Sequence, residues 1–219
     1  MKPSASLYIG SVDERSGKTL LADCLVAGVD EVGRGCLAGP VIAAAVILDP
    51  RTPVDELADS KKLSAVRRSR IAEDIRSKAL YWSLGRSEAS EIDRLNILNA
   101  SLLAMARAVK GLRCSGLEWV WVDGNQFPDI GYPGEAVIRG DQLIAEISAA
   151  SIMAKVCRDA EMALLGRLCP GYGFSRHKGY PTREHRASLL VNGGTVFHRY
   201  SFRPVRELSS NGNSENGGR

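Results

Sequence analysis

Val41 to Leu48 (Val-Ile-Ala-Ala-Ala-Val-Ile-Leu) runs for eight positions without a polar side chain before Asp49-Pro50 closes it. A strand with one wet face alternates apolar and polar residues, so this run suits a strand covered on both faces. Leu25 to Asp30 is also apolar and ends in an acid, and Leu80 to Leu84 is short, aromatic and bounded by Gly85. Leu117 to Asp123 reads as a further strand, closed by the turn Asp123-Gly124-Asn125, and Ala136 to Ile138 as another before Gly140-Asp141. Between these lie helical stretches. Ser64 to Ala79 has Ser64 as its N-cap and Ile71 and Ile75 one turn apart. Ser90 to Lys110 shows one apolar stripe (Leu95, Leu98, Leu102, Met105, Val109) and stops at Gly111. Ala145 to Leu168 carries Ser148-Ala149-Ala150-Ser151, a face small enough for another backbone to pack closely, and a short helix is expected near Glu184 to Val191. Strands interleaved with helices predict an α/β domain around a mixed sheet.

A chain of 219 residues is sized for one domain. The domain is expected over residues 25–208, after an extension at 1–24 and before a polar tail at 209–219 that should be disordered. The five cysteines are odd in number and scattered, with no pair at metal-site spacing, which suggests a reducing compartment. Residues 1–24 mix Asp13, Glu14, Arg15 and Lys18 and lack a basic start followed by an apolar run and a cleavage site. Cys36 to Leu48 is apolar for about thirteen residues, interrupted by Gly39 and Pro40, where a membrane span needs about 20. These features predict a soluble, cytoplasmic protein without a membrane partner. No long apolar surface stripe asks for a second subunit, so a monomer is expected. Charge is uneven: from Lys155 to Arg206 ten basic residues face three acidic ones, and Lys61, Lys62, Arg67, Arg68 and Arg70 form a second knot. Such patches suit phosphate backbones, or simply a solvated face; charge alone does not separate the two.

The acids are more informative. Asp30-Glu31, Asp123 and Asp141 each end an apolar run beside or close to glycine, and acids at the ends of paired strands can converge at one edge of a sheet. Hard oxygen ligands of this kind hold Mg²⁺ or Mn²⁺, and two such ions about 3.5–4 Å apart can assist phosphodiester hydrolysis. A strand-end acid can equally mark the start of a loop. One residue after the first pair comes Gly33-Arg34-Gly35, which sets bare backbone and one guanidinium beside the acids. Backbone N–H and C=O groups can hydrogen-bond a 2′-hydroxyl, the atom that distinguishes RNA from DNA. A plain tight turn would explain the glycines but not the acids. Tyr180, between Gly179 and Pro181 in a basic loop, can stack on a sugar or base. Other signals fail. Ser16-Gly17-Lys18-Thr19 resembles the end of a P-loop, but the first glycine of that pattern would fall on Val12. His177, His185 and His198 lack the spacing of a zinc site.

Taken in order, seven segments resemble bacterial ribonuclease HII, and the likeness runs from about Val26 to Val205. They are Gly28-Val-Asp-Glu-Val-Gly-Arg-Gly35, Asp59-Ser-Lys-Lys-Leu-Ser64, Ile92-Asp-Arg-Leu-Asn-Ile-Leu-Asn-Ala100, Val122-Asp-Gly-Asn125, Gly140-Asp141, Ile147 to Val156 and His177-Lys-Gly-Tyr-Pro-Thr182. The resemblance implies a ribonuclease H-like fold: a five-stranded mixed sheet flanked by helices, with a small helical C-terminal part from about residue 170. It implies an endonuclease that cuts RNA in RNA/DNA hybrids and incises duplex DNA on the 5′ side of a single embedded ribonucleotide, leaving 3′-hydroxyl and 5′-phosphate ends. That activity belongs to DNA replication and repair. By the same resemblance Asp30, Glu31, Asp123 and Asp141 are metal-binding catalytic carboxylates for two ions, Mn²⁺ or Mg²⁺. Gly33, Arg34 and Gly35 would read the 2′-hydroxyl, and Tyr180 would pack on the deoxyribose that follows. Lys61, Lys62, Lys155, Arg176 and Lys178 are candidate backbone contacts that set register without reading bases. Two features depart from the pattern. Residues 1–24 precede the usual start and match no family segment, being too short for the extra domain of ribonuclease HIII, and Leu143 stands where relatives often carry a basic residue. The alternatives are another nuclease of the same fold or a non-catalytic hybrid-binding module.

Overall fold

The computed structural model describes residues 11–12, 19–20, 25–57 and 63–211. Strands β1 (Ser11–Val12) and β2 (Thr19–Leu20) form a separate two-stranded ladder within the N-terminal extension. The main sheet comprises β3 (Leu25–Val32), β4 (Val41–Ile47), β5 (Tyr81–Ser87), β6 (Leu117–Asp123) and β7 (Gly134–Val137), in the order β5-β4-β3-β6-β7. β5, β4 and β3 pair antiparallel, whereas β6 and β7 run parallel to β3. Every residue of β4 is buried, as its unbroken apolar run requires: Val41, Ala43, Ala45 and Ile47 face one helical layer, Ala44 and Val46 the other.

One layer holds α2 (Ala89–Leu95) and α3 (Ile97–Gly111). The other holds α1 (Ala65–Lys78) and the long α5 (Ala145–Leu168), which follows the short α4 (Gly140–Leu143). Helix α1 starts as expected, with the Ser64 hydroxyl accepting from the Arg67 N–H at 3.3 Å, and it buries Ile71 and Ile75. Helices α6 (Phe174–His177), α7 (Arg183–Asn192) and α8 (Arg203–Asn211) form the C-terminal part. Its core of Tyr172, Phe174, Leu189 and Val205 packs on Met162 and Leu165 of α5 and on Leu37. Among the described residues no helix is long and apolar enough to cross a membrane.

The structure departs from the sequence expectations at three places. The helix expected over 90–110 is two helices, because Asn96 turns to φ 67°, ψ 166° and its side chain caps α3 by accepting from the Asn99 N–H at 3.0 Å. The predicted stripe is also only part of the buried face: Met105 and Val109 are buried and Leu102 packs against the core. Leu98 is 37% exposed, while Ala100, Ala104 and Ala108 are fully buried beside Met105 and Val109. The cause is proximity: a Cβ on Gly85 of β5 would stand 2.0 Å from the Ala104 carbonyl oxygen and 2.4 Å from the Ala108 nitrogen. A helix lying that close to the sheet has room only for alanine at the contact. Finally, the strand before Gly140 ends at Val137, leaving Ile138 70% exposed, and α8 continues three residues into the segment expected to be a disordered tail.

Gly85→Ala places a methyl group into main chain that cannot give way. We expect a loss of about 3 kcal/mol, read as a lower urea midpoint at unchanged slope, as overpacking of a close-packed core usually costs about 1–3 kcal/mol.

Candidate active site

Period-two alternation along β3 assigns its side chains. Ala27 and Val29 enter the α3 layer, so Gly28 and Asp30 face α5. At Gly28 a Cβ would lie 2.1 Å from the Glu146 carbonyl carbon and 2.2 Å from the Ile147 nitrogen, so the first turn of α5 rests on bare strand backbone. Two residues along the strand Asp30 is 7% exposed, and the Ser151 hydroxyl, a little over one turn further along α5, donates to its carboxylate. The Glu31 N–H also donates to Asp30 Oδ1 at 2.7 Å.

Parallel pairing of β3 with β6 aligns Val29 with Val122, which brings Asp123 to the same end of the sheet as Asp30. Asp141 arrives from the first turn of α4, 2% exposed, and its N–H donates to Asp123 Oδ1 at 3.3 Å. Glu31 is held by Arg34, whose Nη1 lies 3.2 Å from Glu31 Oε1. Burial, then the neighbouring Glu31 and Asp123 charges, push the Asp30 carboxyl well above the usual carboxylate range. Burial also pushes Glu31 up, against the opposing pull of Arg34. The donor set is wholly carboxylate oxygen and the charges crowd one another, which is the chemistry that a hard divalent cation relieves. Asp30, Glu31, Asp123 and Asp141 therefore fit a site for Mg²⁺ or Mn²⁺. Among the described residues no group of three or more His, Cys, Asp or Glu side chains stands as a finished ligand set.

The Gly33-Arg34-Gly35 turn leads directly off β3. Gly33 needs its glycine twice over: its φ is +98°, and a Cβ would lie 2.3 Å from Arg158 Nε. Tyr180, 40% exposed, stands beside the turn, with its Cε1 4.0 Å from where a Gly35 Cβ would be. Three histidines with no metal-site spacing meet behind this loop. The Thr195 N–H donates to His198 Nδ1 at 2.9 Å, which leaves the proton of a neutral His198 on Nε2, 3.1 Å from His185 Nε2. His185 Nδ1–H then donates to the Tyr180 carbonyl at 3.0 Å. His177 stacks on His185 with ring centroids 4.4 Å apart, and its Nδ1 accepts from the Gly179 N–H at 3.2 Å. Each ring in this relay is satisfied in its neutral form.

The basic candidates are placed less uniformly. Lys155 Nζ is paired with Asp159 at 2.7 Å, Lys178 Nζ donates to the Asp159 carbonyl at 3.3 Å, and Arg176 is paired with Glu184. Lys61 and Lys62 lie outside the described residues. Arg158 and Arg199, counted in the basic third as potential surface charge, are instead fully buried. Sequence reasoning passed over both, as it passed over Ser151. A signal existed for Arg158: it follows Ser151 by seven residues on α5, two turns along one face, together with buried Ile147, Ala154 and Met162.

A mixed sheet of this strand order, with carboxylates gathered at the adjoining ends of β3 and β6 and a glycine turn beside them, defines a nuclease of the ribonuclease H class. A family model described as ribonuclease HII matches residues 27–205, and the chain belongs to that family; it is a ribonuclease H hydrolase. Solved structures share the fold. The ribonuclease H2 of Pyrococcus horikoshii OT3 is 22% identical with a TM-score of 0.71, over 85% of this chain and 98% of that one. The RNase HII of Archaeoglobus fulgidus, solved in a complex with PCNA, is 25% identical with a TM-score of 0.68, over 82% and 95%. Bst-RNase HIII, in complex with Mn²⁺, is 17% identical with a TM-score of 0.63, over 87% and 71%.

Two measurements follow from the electrostatics. Because burial, and then like charges, disfavour the Asp30 carboxylate, Asp30→Asn should stabilise the protein in EDTA on the order of 1 kcal/mol, a rise in Tm of roughly 2–4 °C at this size. Calorimetry reads it directly. Burial, then the adjacent His185, pushes His198 down to about 4. The unfolded chain therefore takes up a proton near pH 6.5 that the folded chain refuses, and stability present above that pH is lost on acidification toward pH 4. The loss is about 3 kcal/mol, with His185 shifted in the same direction by burial. Urea titrations across this window should show the decline, and His198→Gln should flatten it.

Proposed function

We propose that this ribonuclease H cuts the RNA strand of RNA/DNA hybrids and incises duplex DNA immediately 5′ of a single embedded ribonucleotide, leaving 3′-hydroxyl and 5′-phosphate ends. The observation that carries this reading is the placement of the Gly33-Arg34-Gly35 turn between the carboxylate cluster and Tyr180, whose ring abuts Gly35. A nucleotide threaded past the turn meets exposed Arg34 and Gly35, where main chain can reach a 2′-hydroxyl, while its scissile phosphate faces the carboxylates. The exposed Tyr180 ring is then available to the next sugar, and a flat ring against a deoxyribose discriminates against an added hydroxyl by contact.

Asp30, Glu31, Asp123 and Asp141 would hold the divalent ions, Mg²⁺ or Mn²⁺. Bound there, such ions would supply an activated water and charge stabilisation for the departing 3′ oxygen. The chain's own part is positional. Ser151 and the Glu31 N–H orient Asp30, and the Asp141 N–H orients Asp123. Arg34 anchors Glu31 while leaving a half-exposed guanidinium toward the substrate side. Such an activity serves removal of ribonucleotides during DNA replication and repair in the cytoplasm.

The test is a labelled DNA duplex carrying one ribonucleotide, with an all-DNA duplex as control, in Mg²⁺, Mn²⁺ or EDTA. A metal-dependent cut immediately 5′ of the ribonucleotide, with the control intact, is expected. Cutting of both duplexes would sink the 2′-hydroxyl reading. Asp123→Asn should bind the ribonucleotide duplex with affinity near the parent's while its cleavage falls by more than about 100-fold. Parental cleavage by that variant would remove Asp123 from the site, and binding without cleavage by the parent in every metal would favour a non-catalytic hybrid-binding module.

A further inference from the structure

Arg158 and Arg199 are both fully buried, and among the described residues neither forms an ion pair with a carboxylate. A buried guanidinium without a counter-charge is costly unless its donors are all well placed. Here they go to main-chain carbonyls of two short segments. Arg158 donates from Nε to Pro40 at 3.0 Å, from Nη2 to Ala38 at 3.1 Å and from Nη1 to Lys178 at 2.9 Å. Arg199 donates from Nε and Nη2 to Gly39 at 3.1 and 2.9 Å, and from Nη1 to Arg34 at 2.9 Å. The first segment, 34–40, is the chain leaving the Gly33-Arg34-Gly35 turn; the second, at Lys178, lies two residues before Tyr180. The two also touch directly, the Leu37 N–H donating to the Gly179 carbonyl at 2.8 Å. Among the described residues Arg158 is the one guanidinium that bonds to both, beside the Cys36 thiol that donates to the Lys178 carbonyl at 3.5 Å, and it packs under Gly33 as well.

We infer that Arg158 is a positioning residue, with Arg199 as a second brace: its fork fixes the spacing between the Gly33-Arg34-Gly35 turn and Tyr180, and so sets how strongly an RNA-to-DNA junction is preferred over continuous RNA. This rests on the reading that the turn meets the 2′-hydroxyl and Tyr180 the following deoxyribose. A junction engages both loops at once and is sensitive to their separation. A continuous RNA strand offers Tyr180 no deoxyribose and depends on the turn alone. Lysine keeps the charge and most of the stem, but one ammonium cannot reproduce three donors aimed in one plane at Pro40, Ala38 and Lys178.

The experiment compares the parent, Arg158→Lys and Arg158→Met on a single-ribonucleotide duplex and on a continuous RNA/DNA hybrid, with kcat and KM measured for each. Hydrogen exchange is followed by mass spectrometry on the same proteins. For Arg158→Lys we expect kcat/KM on the junction to fall by about 100-fold, the scale set by an ångström of misplacement, with a loss of less than about 10-fold on the hybrid. Residues 34–40 and 177–182 should exchange faster together while the sheet keeps its protection. Arg158→Met should show the same pattern more strongly; if it does not fold, Arg158→Lys carries the test. Equal losses on both substrates, full discrimination by the lysine variant, or parental exchange rates in both segments would each overturn the inference. If the parent itself does not prefer the junction, the proposed function fails, and the exchange measurement still decides whether Arg158 ties the two loops together.

Discussion

Gly28 lets the first turn of α5 rest on the backbone of β3, and the placement of the carboxylates and of the turn beside them depends on that contact. With the main chains this close, Ser151 reaches Asp30 and, two turns along the same helical face, Arg158 reaches the carbonyls of Ala38 and Pro40. A side chain at position 28 would lift the helix and withdraw both. The opposite layer uses the same device, with Gly85 under the Ala104 carbonyl. The sheet is gripped on both faces by helices at backbone distance, which explains a core so rich in alanine: Ala27, Ala43, Ala44, Ala45, Ala100, Ala104, Ala108, Ala149, Ala150 and Ala154 are all fully buried. Small side chains give up apolar area per residue, and the interior recovers it as close packing of main chain.

Charge is segregated with equal consequence. Four carboxylates gather at the ends of β3 and β6 and around α4, while two guanidiniums lie buried beneath the neighbouring turn. Neither group is neutralised by the other, since Arg158 and Arg199 spend their donors on carbonyls. Both arrangements work against stability: burial, then the neighbouring charges, push Asp30 up, and burial, with Arg158 nearby, pushes Arg199 down to about 10. Strain of this sort survives in a fold only where the rest of the core over-determines it, and it collects at functional sites. On the proposed function this pattern has a use, because divalent ions would relieve the negative cluster and a polyanionic substrate would be drawn toward the positive one.

Much of this was legible in the residues. Asp30 and Asp123 stood out because each lies at or near the end of an apolar strand, which delivers it to a sheet edge; Asp141 stood out by the same pattern, yet it arrives on the first turn of α4, beyond the end of β7 at Val137. Ser64 was legible as a cap for the same local reason. Leu95 and Leu98 misled, because helical periodicity reports which residues share a face and not how near the next layer stands. Arg158 and Arg199 were read as surface charge because composition treats every arginine alike. The histidines were set aside for their spacing, yet His177, His185 and His198 meet through the C-terminal fold to support Tyr180.

What the sequence by itself determined is therefore what short-range rules decide: strands that must be covered, caps and stops, acids delivered to strand ends, and a glycine turn next to them. Tertiary structure decided which carboxylates face one another, how closely α5 lies on β3, that the Gly33-Arg34-Gly35 turn and Tyr180 from the far end of the chain share one frame, and that two arginines hold that frame from inside. Those outcomes depend on sheet order and on the separation of packed layers. Both are set by contacts between residues more than a hundred positions apart, such as Arg158 with Pro40 and Arg199 with Arg34, and no local pattern encodes a distance of that kind.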